Sequence, residues 1–139
     1  MKNLVYILSI AGLLIFSCGT PKKTVATADD QKEEPVRIAN DSLEYEVIIM
    51  DIGFTSYLVT AKPMNFYTQS TLEAKNRTYV TEWNSRAINP IRYNSDIYEN
   101  VIDYQPNIDY GMEVNYKLYQ YFQFAQKKYK MRLSSFRID

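Results

Sequence analysis

The segment from Asp109 to Lys130 constrains the fold more than any other stretch of the chain. Val114, Leu118, Tyr121, Phe122, Ala125 and Tyr129 recur at helical spacing, and Met112, Tyr116 and Tyr119 form a second row beside them. Apolar and aromatic side chains therefore cover more than half of the helix circumference. Such a helix must either be sandwiched by other elements or present a patch to a partner. Asp109 is a good N-cap, Glu113 suits the positive end of the helix dipole, and Lys127, Lys128 and Lys130 suit the negative end.

The preceding residues supply elements to cover it. Leu43 to Ile52 opens with alternation (Leu43, Tyr45 and Val47 against Glu44 and Glu46) and becomes continuously apolar through Met50. This predicts a strand that enters exposed and ends buried on both faces. Phe54, Tyr57, Leu58 and Ala61 fall at i, i+3, i+4 and i+7, which favours a short helix over the rival, a strand through Tyr57 to Thr60, and Pro63 stops either one. Ser70 and Glu73 fit a capping box, and Leu72, Asn76, Tyr79, Val80, Trp83 and Ala87 line one face of the helix that follows. Glu82 and Arg86 stand at i, i+4 as a surface pair. That helix should end before Asn89-Pro90. Ile97 and Val101 alternate with Tyr98, Ile102 and Tyr104, predicting a second strand closed by Pro106. The expected fold is therefore a small single α+β domain with the order strand, short helix, helix, strand, long helix. Twelve of the thirteen tyrosines, five of the six phenylalanines and Trp83 lie in that domain and can build its core without disulfides.

The first residues have a different character. Lys2 is followed by an apolar run from Leu4 to Phe16, shorter than the ~20 residues a spanning helix needs. A positive start, a short apolar core and small Ser17 describe a secretory signal. Cys18, the only cysteine, stands at the cleavage point. With Ile15 and Ser17 before it, this junction resembles the lipobox of bacterial lipoproteins, although Phe16 is larger than the residue usual there. The resemblance implies a lipid on Cys18 and attachment to a membrane through more than one acyl chain. Gly19 to Asn40 holds no aromatic residue, few aliphatics and many charges. That composition predicts a flexible linker. The expected organisation is thus 1–17 signal peptide, 18–40 lipid-anchored linker and 41–139 globular domain.

Composition narrows the chemistry. Sixteen Lys plus Arg balance sixteen Asp plus Glu, which argues against a nucleic-acid partner. Histidine is absent, so Ser-His-Asp and Cys-His catalysis and histidine metal sites are excluded. No Gly-rich phosphate loop occurs. No metal site or cofactor is expected. The remaining acid–base candidates include Asp51, Glu82, Asp96, Glu99, Asp103, Asp109 and Glu113, and their spacing singles out no catalytic pair.

Candidate recognition residues come from the aromatic and amide side chains. Trp83 with Asn84 and Arg86 could stack on a sugar and bond its hydroxyls; packing, backbone bonding and an ion pair to Glu82 explain the same residues. Asn76 is a polar side chain within an apolar stripe and must find partners if buried. Tyr116 and Tyr119 lie in the second row of the last helix. Asn76, Trp83, Asn84, Arg86, Tyr116 and Tyr119 form the expected ligand or partner surface.

Several of these residues carry a family resemblance. Gly53-Phe54, Tyr79-Val80, Glu82-Trp83-Asn84, Arg86, Ile108-Asp109-Tyr110-Gly111, Glu113, Asn115-Tyr116-Lys117-Leu118 and Tyr121-Phe122 resemble a group of small lipoproteins of Bacteroidota that share a domain of unknown function. The resemblance runs from about Tyr45 to Leu133. It implies an envelope address and no mechanism. Lysines rather than acidic residues soon follow Cys18, which in such bacteria implies a periplasm-facing protein. The leading expectation is a lipid-anchored, non-enzymatic interaction or structural module with an envelope protein partner. The alternatives are a domain binding glycan or peptidoglycan fragments, and a carboxylate-dependent hydrolase.

Overall fold

The computed structural model describes residues 36–139 apart from Glu44 and Met50. The expected signal peptide, the lipidation site at Cys18 and the linker up to residue 35 lie outside the described residues. No helix among the described residues is long and apolar enough to cross a membrane.

Two strands, β1 (Val36–Asn40) and β2 (Tyr45–Ile49), pair antiparallel across a 3₁₀ turn at Asp41–Leu43. The register sets Val36 opposite Ile49, Ile38 opposite Val47 and Asn40 opposite Tyr45. Helix α1 (Phe54–Thr60) follows, then a 3₁₀ turn at Met64–Phe66, then α2 (Gln69–Ala87) and α3 (Gly111–Lys128). The molecule is a small α+β domain, as its sequence implies. The expected strand around Tyr45 and all three helices stand in their expected order.

Two expectations are corrected. Val36–Asn40 belongs to the domain and not to the linker. Val36, Ile38 and Asn40 alternate with exposed Arg37, and Ile38 is fully buried, so a short amphipathic strand was present in a segment whose charge made it look unstructured. The second correction concerns residues 97–104, which form no strand. Tyr98, Ile102 and Tyr104 are buried while Val101 is exposed, so the alternation reports the right face. The backbone there bonds to side chains of α2 instead of to a ladder. Trp83 Nε1 donates to Asn100 O at 3.0 Å, and Asn84 holds both polar groups of Ile102. Once side chains have satisfied the peptide groups, no neighbouring strand is needed.

Helix boundaries also move by a residue or two. Thr68, not Ser70, caps α2, its hydroxyl accepting from Thr71 N at 3.3 Å. Glu73 accepts from Gln69 Nε2 at 2.8 Å. Asp109 accepts from Gly111 N at 2.9 Å, although the cap position itself falls on Tyr110. The chain enters α1 through Gly53, whose φ of 97° is a left-handed conformation that a side chain would strain.

Helix α3 is the centre of the fold, and every residue from Leu118 to Gln126 is buried. It is sandwiched, and does not carry an open apolar stripe. Phe122 meets Tyr79 and Trp83 of α2, while Tyr121 and Phe124 meet Phe54 of α1. Its polar positions Gln123 and Gln126 are buried too, because the segment after the helix folds back on them. Gln126 Oε1 accepts from Leu133 N at 3.0 Å, and Gln123 Oε1 accepts from Asp139 N at 2.9 Å.

Candidate functional site

A cleft of about 190 Å³ opens between β2 and residues 96–102. Val47, Ile48 and Ile49 line one wall. Three consecutive strand residues flank it, which happens along a strand's edge and not on one face, because successive side chains point to opposite faces. Among the described residues β2 pairs only with β1, and no hydrogen bond reaches its other edge. Asp96, Ile97, Glu99, Asn100 and Ile102 form the opposite wall. Trp83 and Tyr121 lie between, both nearly covered.

The local sequence explains each wall. The apolar run of β2 needs cover on both faces, but a two-stranded sheet leaves one edge unpaired. The facing segment is pinned from behind by Trp83 and Asn84, which turns Tyr98 and Ile102 inward. Asp96 and Glu99 remain exposed on the cleft side. Ile48 is 58% exposed, unusual for an isoleucine in a strand that otherwise buries its end.

Asp51 closes one end of the cleft. Its Oδ1 accepts from Lys128 Nζ at 2.5 Å and from the Tyr129 hydroxyl at 2.6 Å, and its Oδ2 accepts from the Tyr121 hydroxyl at 3.3 Å. Burial, then the Asp51 charge, pushes the Tyr121 hydroxyl well above the usual tyrosine range. Burial and a hydrogen bond to Asp51 also raise Tyr129. Burial opposes the charge on Lys128, but Asp51 outweighs it and raises the ammonium pKa. Asp51 is thus an anchored anion, compensated by one lysine, whereas Asp96 and Glu99 have no ion-pair partner among the described residues. No lysine or arginine among the described residues lines the cleft. Among the described residues, no three acidic or cysteine side chains are grouped closely enough to hold a metal.

The six residues singled out from sequence do not line one concavity. Trp83 reaches the cleft floor but is only 4% exposed. Asn84 bonds the backbone of Ile102. Arg86 donates to Glu82 at 2.8 Å, to the Tyr98 hydroxyl at 2.8 Å and to Arg132 O at 2.5 Å. Asn76 is buried against α3, donating to Asn115 O at 2.9 Å and to Asn115 Oδ1 at 3.2 Å. The Tyr104 hydroxyl donates to the same Asn115 Oδ1 at 2.6 Å. Tyr119 is fully buried, its hydroxyl donating to Asp139 at 2.8 Å, and Tyr116 donates to Lys62 O at 2.8 Å. These side chains hold loops and helices together.

Sequence reasoning did not single out Ile48, Ile97 and Asn100, and it placed Asp51, Asp96 and Glu99 in an undifferentiated acidic inventory. The usable signal was a mismatch in number. Two apolar stretches, around residues 47–49 and 97–102, were both read as strands, and a small sheet cannot cover every edge.

A small α+β domain with an acidic cleft along a strand edge that has no partner among the described residues is what the fold and site define. Over residues 5–138 the sequence matches the family described as "Family of unknown function (DUF6146)", and the chain belongs to that family. Neither curated proteins nor solved structures gave a match.

Proposed function

We propose that this protein is a lipid-tethered interaction module of a Bacteroidota-type cell envelope, facing the periplasm and held by acylated Cys18. The cleft beside β2 is its partner-binding surface. The observation that supports this reading is the edge of β2 away from β1, where peptide groups and exposed Ile48 sit beside Asp96 and Glu99, none of these peptide groups or carboxylates having a bonding or ion-pair partner among the described residues. Small-molecule pockets usually span ~300–1,000 Å³. A cleft of about 190 Å³ suits a few side chains of a protein better than a whole ligand. Trp83 is too covered to stack on a sugar ring, which weighs against the glycan alternative.

A photo-crosslinking side chain at position 48 of the full-length protein tests the module in native membranes. The same group at position 59, on the 84% exposed Val59, is the control. A stoichiometric product from position 48 alone is expected. No product, or equal products from both positions, removes the reading. Mass spectrometry of the N-terminal peptide tests the anchor, and an unacylated Cys18 or an intact Met1 terminus overturns it.

The meeting of Asp51, Asp96 and Glu99 on one cleft favours a second reading, carboxylate-dependent hydrolysis. Turnover of peptidoglycan fragments that is lost in Glu99→Gln at unchanged stability would support it. Turnover equal to a protein-free blank would end it.

A further inference from the structure

The chemistry of the cleft narrows its occupant, an inference that rests on the module reading above. Alternate residues of β2 must direct their N–H and C=O groups away from β1, into the cleft. Only an extended backbone satisfies such a row in register. The apolar contacts on offer are Ile48, Ile97 and the covered rings of Trp83 and Tyr121. The charges on offer are Asp96 and Glu99, with no cation on either wall. A second copy pairing through its own β2 would bring two acidic rims, each with Asp96 and Glu99, together, which like-charge repulsion opposes.

We infer that the cleft takes an extended, basic segment of another protein, added as a third strand to the free edge of β2. Its alternate apolar side chains fill the space before Trp83, and its Lys or Arg side chains meet Asp96 and Glu99. The acidic rim serves two ends: it selects the partner and it stops copies of the domain from pairing edge to edge.

The test uses the full chain and its single tryptophan, which lies on the cleft floor. The probes are three capped hexapeptides: alternating Lys-Val, alternating Glu-Val, and Lys-Val with a central valine and the lysine beside it both replaced by proline, so that one of the two must remove an N–H facing β2. The Lys-Val peptide should change Trp83 fluorescence saturably. Affinity should fall at least tenfold with the Glu-Val peptide, with the proline peptide and with the Asp96→Asn/Glu99→Gln double variant. Salt should weaken binding. Both substituted residues are exposed, so the variant should keep its fold, and its urea midpoint checks this. Binding that tolerates proline overturns strand addition. Equal binding of the Glu-Val peptide overturns the charge assignment. No binding by any peptide overturns the proposal. A position-48 crosslink without Lys-Val binding would retire this partner class and leave the module standing; absence of both would retire both.

Discussion

Asn84 brackets the peptide groups of Ile102: its Oδ1 accepts the Ile102 N–H and its Nδ2 donates to the Ile102 carbonyl, each at 2.8 Å. One side chain thereby replaces the ladder partner that residues 97–104 lack, and it holds the acidic wall of the cleft in place. Asn84→Ala should cost about 2 kcal/mol, since two partly buried backbone groups lose their partner. Asn84→Asp keeps the acceptor but sets a carboxylate against the Ile102 carbonyl, so it should cost at least as much. Urea unfolding of both variants checks the order. Both should also weaken Lys-Val peptide binding, because the wall loses its support.

Arg86 should resist even conservative replacement. Its guanidinium spans Glu82, the Tyr98 hydroxyl and the Arg132 carbonyl, which belong to α2, the 97–104 segment and the final segment respectively. Lysine has the charge but not the planar fork. Arg86→Lys should therefore lose roughly 1–2 kcal/mol, and Glu82→Gln, which touches only the exposed side of the network, should lose well under 1 kcal/mol. Thermal unfolding of the two variants separates them.

How much of this was legible can be traced residue by residue. The stripe of Val114, Leu118 and Phe122 fixed α3, and Phe54, Tyr57 and Leu58 fixed α1, because apolar periodicity reports the buried face directly. Strand β1 was hidden by its neighbours, since Arg37 pairs with Asp41 and Glu46 and so carries surface chemistry into a sheet. Residues 97–104 show the converse: their alternation was real, but alternation records which side is covered and says nothing of what bonds the backbone. The buried glutamines of α3 carry no apolar signal: the chain returning after the helix covers Gln123 and Gln126, and Gln120 sits against the Tyr57 and Tyr67 hydroxyls. The cleft could not be read because it is a property of an edge left over, and no residue pattern encodes that.

Asn76 should be sensitive to charge more than to size. It is fully buried beside Asn115, and its Oδ1 has no hydrogen-bond partner among the described residues. Asn76→Asp would place a carboxylate there with no donor and against two acceptor oxygens. It should destabilise by about 3 kcal/mol or more at neutral pH, and by less when acid protonates it. Asn76→Ala should cost about 2 kcal/mol with no such pH dependence. Unfolding at pH 7 and at pH 4 distinguishes them.

Two sets of groups give the domain opposite pH limits. Burial works against the Asp139 carboxylate, but hydrogen bonds from Tyr119, Tyr67 and Lys62 outweigh it and leave its pKa below the usual carboxylate range. Its contribution is present above the unfolded value, ~3.9, and is lost as pH falls through the lower folded value. The gap between wild type and Asp139→Asn in urea midpoint should therefore be open at pH 7 and close in acid. Burial pushes Tyr57, Tyr67 and Tyr104 up to about 12. Their neutral forms stabilise the fold below the unfolded value, ~10, and that contribution is lost as pH rises through about 12. Tyrosinate absorbance from these three rings should appear only as pH approaches about 12, together with unfolding.

The final segment should open without the rest of the domain when α3 loses its glutamines. Gln126 Oε1 holds the Leu133 amide, Gln123 Oε1 holds the Asp139 amide, and Gln123 Nε2 also donates to the Tyr79 hydroxyl at 3.1 Å. The two residues lie one helical turn apart on one side of α3, so they act as successive rungs against a chain that has no ladder of its own. Gln126→Ala frees the amide nearest the helix end, and Gln123→Ala frees the far one together with a buried tyrosine hydroxyl. Hydrogen exchange should therefore accelerate at Leu133 in the first variant and at Asp139 in the second, by at least tenfold each. Amides of α2 near Leu72 should keep their protection in Gln126→Ala. If both variants instead accelerate exchange uniformly along α2 and α3, the segment is part of one cooperative unit and the rungs are not separable from it.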